Sequence, residues 1–181
     1  MFVFASENCL LVEKVRMCDK IKEPSECSEK EIEDVYLLAK KGGEVDPLGL
    51  RNRIRRAKYL AFHYEQNELV GIVGLKRPYE TYKKVVFKRA GVPKEAEKYS
   101  LEIGWAYTKC VYRGKGICTG LIQKILEKSE SENFFATVRT NNPAMHRVLE
   151  KTGFRRIGKP YHGRTNHSIQ LFIRLKRGTD V

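Results

Sequence analysis

Arg113-Gly114-Lys115-Gly116 is the stretch of this 181-residue chain whose residue types and spacing could do chemistry. Two glycines alternate with two cations just before Ile117, Leu121, Ile122, Ile125 and Leu126, which recur at helical spacing. Ahead of the turn, Leu101 to Thr108 is apolar and aromatic, as a buried strand would be. The order strand, glycine turn, helix leaves backbone N–H groups without intrahelical partners at a helix N-terminus. Glycines 114 and 116 let an anion approach that backbone closely, the helix dipole favours it, and Arg113 and Lys115 add charge. The physical reading is a cradle for a phosphate or pyrophosphate.

Two common cradles do not fit. A P-loop needs Ser or Thr after Gly-Lys, and Lys115 is followed by Gly116. A dinucleotide-binding turn needs a third glycine where Thr119 stands. The pattern Arg/Gln-x-x-Gly-x-Gly/Ala does fit at Arg113, Gly114, Lys115, Gly116 and Ile117, and the chain departs from it at Cys118, which stands where the pattern has Gly or Ala. A second segment runs from Thr140 to Phe154. Asn142 suits an N-cap, Pro143 the first helical position, and Gly153 the left-handed C-terminal position, with Met145, Val148 and Leu149 as the buried stripe. The two segments together resemble the signatures of the GNAT superfamily of acyl-CoA-dependent N-acetyltransferases. The resemblance covers residues 58–175 well and residues 1–57 loosely.

The resemblance implies an α/β fold: a mixed, largely antiparallel central sheet, splayed around the acyl-CoA site, with helices on both faces. It implies acetyl-CoA and coenzyme A as ligands. The pantetheine arm would pair with backbone of the central strand at Ala106, Tyr107, Thr108 and Lys109. The pyrophosphate would sit on Arg113, Gly114, Lys115, Gly116, Ile117, Cys118 and Thr119, and Asn142 could touch the cofactor while capping its helix. Acetyl transfer to an amine needs a base, an oxyanion donor and, where the thiolate needs one, a proton donor. Glu102 is the candidate base, a carboxylate inside an apolar strand where burial would raise its pKa. The plainer reading is a glutamate at the strand's wet end, paired with a lysine. The tyrosine that many members carry in the second signature is Leu149 here, with Val148 beside it. Tyr107, Cys110 and His146 are the remaining candidates for the acid. His146 also reads as a packing residue, and Cys110 as an acyl-carrying nucleophile is a minor alternative.

The rest of the chain must position these groups. Length suggests one domain over residues 1–181, and 41% hydrophobic residues suffice for a core. Thirty-five Lys and Arg against 22 Asp and Glu give a formal charge of +13. That excess fits an anionic cofactor, an anionic macromolecule, or simply a basic surface. Cys9, Cys18 and Cys27 form no Cys-x-x-Cys zinc pair, so no metal is expected, and the five cysteines read as reduced thiols of a cytoplasmic protein. No apolar run is long enough for a membrane span or signal peptide.

Residues 1–17 alternate as one or two strands. Ser28 and Glu31 have capping-box spacing ahead of a helix that ends at Gly42-Gly43. A second helix is expected over 47–57, with its arginines either a solvated face or a substrate-side patch. Tyr59 to Tyr64 and Leu69 to Leu75 form a hairpin. The family joins the next strands by a short loop, so residues 76–99 read as a basic insertion. Its interleaved lysines, arginines and tyrosines could bind nucleic acid, or could pack a short helix with solvated lysines. Phe134 to Thr140 is a strand, 143–152 a helix, Phe154 to Gly158 a strand, Tyr161 to Asn166 a polar loop, and Ser168 to Leu175 the last strand. The expected activity is acetyl transfer from acetyl-CoA to a primary amine, on a small molecule or a protein, by direct attack. The alternative is an acyl-CoA-binding or nucleic-acid-associated module with little catalysis. A homodimer suits the family, though no interface is legible.

Overall fold

The structure is a computed structural model that describes residues 17–163 and 167–176. The alternation read over 1–17 lies outside the described residues except for Met17, which opens strand β1 (Met17–Lys22). Helix α1 (Glu29–Lys41) starts at a reciprocal cap: the Ser28 hydroxyl accepts the Glu31 N–H, and the Glu31 carboxylate accepts the Ser28 N–H. Helix α2 (Leu50–Arg55) is shorter than the expected 47–57. Asp46 accepts the Leu48 N–H in a local turn, and Gly49 is left-handed at φ 65°, so helical geometry begins only at Leu50.

Strands β2 (Tyr59–Glu65) and β3 (Glu68–Lys76) form the expected hairpin, with Gln66 and Asn67 both at positive φ. Residues 77–99 carry helix α3 (Glu80–Arg89) and a 3-10 turn at Pro93–Lys98. Strand β4 (Leu101–Thr108) leads through the glycine turn into helix α4 (Ile117–Glu127), and strand β5 (Phe134–Arg139) leads into helix α5 (Pro143–Lys151). Strand β6 (Arg155–His162) runs longer than expected and takes in Tyr161 and His162. The segment read as a loop is a strand there because Gly158-Lys159-Pro160 forms an irregularity, anchored by the Lys159 N–H on the Ala90 carbonyl, and pairing with β7 resumes at Tyr161. Strand β7 is Ser168–Arg174.

The sheet order is β1-β2-β3-β4-β5-β7-β6, and only the β4–β5 pair is parallel. One face packs on α4 and α5. The other carries two separate clusters, α1 and α2 over β2 to β4, and α3 over β5 and β7. Strand β4 changes phase within its length. Leu101 and Ile103 join the core under α4, whereas Trp105 and Tyr107 join the core under α1 and α2. Strict alternation would put all four on one face. The break is a bulge: Trp105 stands at φ 51°, and the register with β3 slips between Ile72 and Gly74.

Candidate active site

Strands β4 and β5 pair only at Leu101–Phe134 and Glu102–Phe135. Beyond Glu102 they diverge, with β4 held by β3 and β5 held by β7. The result is a wedge whose vertex is Glu102 and whose mouth lies at the C-terminal ends of the two strands. Each strand feeds a helix at that mouth. The glycine turn and the α4 N-terminus form one wall, and Asn142 with the α5 N-terminus forms the other.

The Trp105 bulge sets which backbone groups face the wedge. The Lys109 N–H donates to the Val70 carbonyl of β3, and the Lys109 carbonyl accepts from Tyr112. Lys109 thus has both backbone groups engaged, and its amine pairs with Glu68 at 2.5 Å. Alternation along the strand then turns the Thr108 amide away from β3 and into the wedge. The Thr108 carbonyl accepts from Arg113 Nε at 3.1 Å. Ala106 is half-buried beside the bulge, and the Tyr107 ring is buried beneath α1.

Gly114 and Gly116 stand at φ 81° and 80°, where an L side chain is strained, and no atom lies within 4 Å of where a Cβ would be. The first amide bond of α4 runs from Gly120 to Gly116 at 2.9 Å, which leaves the amides of Ile117, Cys118 and Thr119 unused by the helix. Arg113 and Lys115 are exposed beside them, and Lys115 Nζ lies over the Tyr112 ring at 5.0 Å. Ile117 faces the core, where a Cβ on Gly71 would stand 2.7 Å from its Cγ2. The Cys118 thiol also turns inward, and burial pushes it up to about 12. It stays a neutral packing group and leaves only its amide to the cradle. Asn142 Oδ1 accepts the Met145 N–H at 3.1 Å as the expected cap.

At the vertex, Glu102 is 2% exposed. Its carboxylate meets Lys76 Nζ at 2.7 Å and accepts from the Tyr82 and Thr137 hydroxyls, each at 3.2 Å. Both readings of Glu102 were therefore incomplete, since it is buried and lysine-paired at once. Tyr82 is 40% exposed through its ring, while its hydroxyl end is turned into the protein. Burial pushes the Tyr82 phenol well above its ordinary range, and the nearby Glu102 charge adds to this. Burial followed by the same charge also raises Tyr161. Both phenols are thereby kept protonated, as donors. This group occupies the seam between the α1–α2 and α3 clusters, on the face away from α4.

From sequence, Lys76 and Tyr82 were read only as part of the basic, aromatic 76–99 segment, and Thr137 and Tyr161 only as residues of a strand and a loop. Lys76 is the direct cross-strand partner of Glu102 in the β3–β4 register. That register could be read from sequence only if the 77–99 segment were known to leave β3 and β4 adjacent. Of the suggested acids, Tyr107 is buried beneath α1, Cys110 is exposed on a 3-10 turn, and His146 is a packing residue. His146 Nε2 pairs with the Arg139 carbonyl at 3.0 Å and its ring packs on Phe172. Across the mouth, Arg139 Nε binds Glu44 at 2.6 Å and ties β5 to the loop after α1. Among the described residues no cluster of His, Cys, Asp and Glu could hold a metal ion, and no helix is long and apolar enough to cross a membrane.

A sheet split between two parallel strands, with a glycine-cradled helix N-terminus at the mouth, is the architecture of an acyltransferase. Residues 19–154 match the model of the Acetyltransferase (GNAT) family, and the chain belongs to that family. Similar solved structures agree on the fold. Arabidopsis thaliana NAA60, solved in complex with a bisubstrate analogue, superposes with a TM-score of 0.65 at 15% identity, covering 91% of this chain and 100% of that one. FeeM, an N-acyl amino acid synthase from uncultured soil microbes, gives 0.65 at 10% identity, covering 90% and 92%. An acyl-CoA N-acyltransferase from Pseudomonas aeruginosa gives 0.64 at 12% identity, covering 88% and 99%. No curated protein sequence is similar to the chain.

Proposed function

We propose that the protein is an N-acetyltransferase that moves an acetyl group from acetyl-CoA to a primary amine by direct attack. The observation that carries this reading is the wedge: β4 and β5 part beyond Glu102, with the open glycine turn at the mouth and a carboxylate at the vertex. The residues fit coenzyme A. Amides of 114–119 with Arg113 and Lys115 suit a pyrophosphate, and the Ala106–Thr108 backbone suits the amides of a pantetheine arm. Bound acetyl-CoA would supply an activated thioester. Glu102 takes a proton from the incoming ammonium, and the neutral amine is then the nucleophile. Tyr82 and Thr137 hold the carboxylate in place. A backbone N–H beside the bulge is the oxyanion donor. Free thiols at Cys18, Cys27, Cys110 and Cys118 suit a reducing compartment, and the cytoplasm is the location proposed.

The test is a thermal-shift titration with acetyl-CoA, coenzyme A and ATP in parallel. A ligand of the folded state at about a hundred times its Kd adds about 2.7 kcal/mol, which for this size raises Tm by about 5 to 11 °C. Both CoA species should do so and ATP should not. In an acceptor screen, Glu102→Gln should lower kcat by about 10² to 10⁴ while acetyl-CoA still binds. Stabilisation by ATP or RNA in place of CoA would overturn the proposal. Full turnover in Glu102→Gln would remove Glu102 as base.

A further inference from the structure

The vertex already holds a primary amine that belongs to the chain. Lys76 Nζ lies 2.7 Å from Glu102 Oε2, the carboxylate proposed as base. Its stem does not run straight across to its cross-strand partner. It leans over Gly104, two residues further towards the wedge, where a Cβ would stand 2.7 Å from Lys76 Cε and 2.8 Å from Nζ. A side chain at 104 would displace the flexible end of the lysine from this position. The amine also faces the Trp105 ring, 5.7 Å from its centroid, at the bulge where β4 turns towards the opening. The Lys76 side chain remains 19% exposed, so it is not sealed from solvent as Glu102 is. An ion pair needs none of this detour, because directly opposed residues on antiparallel strands already meet.

We propose that Lys76 is a self-acetylation site, the first amine that the site modifies. The inference rests on the acetyltransferase reading above. Glu102 takes one proton from the Lys76 ammonium. The Nζ lone pair attacks the thioester carbonyl carbon, a C–N bond forms, and the C–S bond breaks with its electron pair leaving on sulfur. The proton held by Glu102 passes to that sulfur, giving free coenzyme A, and the nitrogen's second proton goes to solvent. The acetylated side chain is neutral, so the ion pair with Glu102 is lost while Tyr82 and Thr137 stay in place. Glu102 Oε2 is then released to meet an external ammonium.

The experiment incubates the full chain with acetyl-CoA and follows intact mass, then maps acetyl-lysines by peptide mass spectrometry. Exposed Lys40, Lys41 and Lys84 report the uncatalysed background. Proximity should raise Lys76 occupancy at least about tenfold above theirs at early times. The rate should not depend on protein concentration, and the excess at Lys76 should vanish in the urea-unfolded chain. Lys76→Arg keeps the cation opposite Glu102 and should lose the fast mass increase. Its thermal melt with coenzyme A shows that fold and binding survive. Lys76 occupancy no higher than that of the exposed lysines, or a rate that climbs with protein concentration, would overturn the proposal. If an added amine is acetylated while Lys76 stays unmodified, the self-acetylation inference alone fails. If acetyl-CoA does not bind, the acetyltransferase reading fails with it.

Discussion

Gly74→Ala should disturb the wedge from the far side of β3. A Cβ at Gly74 would stand 2.3 Å from Trp105 Cε3 and 3.1 Å from Cζ3, well inside contact distance. The indole cannot simply swing away, because it is 8% exposed and packed in the α1–α2 core. Its backbone is also already at φ 51°. Overpacking a tight core costs about 1 to 3 kcal/mol, against about 0.4 to 1 kcal/mol gained by stiffening the unfolded chain. A net loss of about 1.3 kcal/mol lowers Tm by about 3 to 5 °C at this size. The natural control is Gly120→Ala on α4, where nothing lies within 4 Å of the added carbon. It should gain about 1 kcal/mol of helix propensity and raise Tm by about 2 to 4 °C. Calorimetry of the three proteins decides the matter, and coenzyme A titration gives a second readout. Moving Trp105 moves the amides that follow it, so Gly74→Ala should weaken coenzyme A binding and Gly120→Ala should weaken it far less. A Gly74→Ala protein melting within about 1 °C of wild type would refute the claim that the ring and the bulge are locked together.

Gly116→Ala forces an L residue to φ 80° at a cost of about 1 to 2 kcal/mol and sets a methyl group in the cradle. The strain falls on free and bound protein alike, but the methyl group obstructs the bound pyrophosphate, and a loss of about 1.4 kcal/mol there would lower coenzyme A affinity about tenfold in a titration. Glu31→Gln probes pH dependence. Burial raises the Glu31 carboxyl, but hydrogen bonds from Lys22 and Ser28 outweigh it and hold it below its ordinary 4.5. A depressed folded pKa means stability that is full above pH 4.5 and lost as pH falls through the folded value. Wild type should therefore exceed Glu31→Gln by about 1 kcal/mol at pH 7, from the lost ion pair with Lys22 and the lost charge at the cap, which glutamine can still close, with the gap closing in acid. A constant gap in melts from pH 7 to strongly acid buffer would show that the charge is irrelevant.

Local chemistry was legible in the sequence wherever one short segment decided the outcome. The Ser28–Glu31 box, the Asn142 cap and the stripe Ile117, Leu121, Ile122, Ile125, Leu126 each depend on neighbours within a few residues, and each took the expected form. The start of α2 was misplaced because Asp46 and Gly49 compete with Pro47 for the same turn. The rest of the site depends on distant partners. The hydroxyls that grip Glu102 come from residues 20 and 35 positions away. Tyr82 drew attention only as part of a basic, aromatic stretch, which suggests nucleic acid as readily as a buried phenol. The bulge at Trp105 was hidden for a similar reason. The run Leu101 to Thr108 is apolar on both faces, so its composition carries no record of where the phase changes.

The identity of the proton donor follows from which groups reach the vertex. Leu149, at the position of the family's usual tyrosine, is fully buried among apolar neighbours. Cys118 is neutral and faces the core, and His146 is tied to a backbone carbonyl beneath β5. Tyr82 reaches the vertex, but a phenol raised by burial gives up its proton less readily than a free one, so it suits holding Glu102 better than discharging to a thiolate. On the proposed mechanism Glu102 is then the one group at the vertex that gains a proton during the reaction, and so the natural source of the one the leaving sulfur needs. Tyr82→Phe separates these roles. If the phenol only positions Glu102, the variant should lose about tenfold in kcat, with KM for acetyl-CoA and the alkaline limb of the pH profile unchanged. If the phenol were the acid, kcat would fall by a further order of magnitude or more, and the alkaline limb would disappear with it.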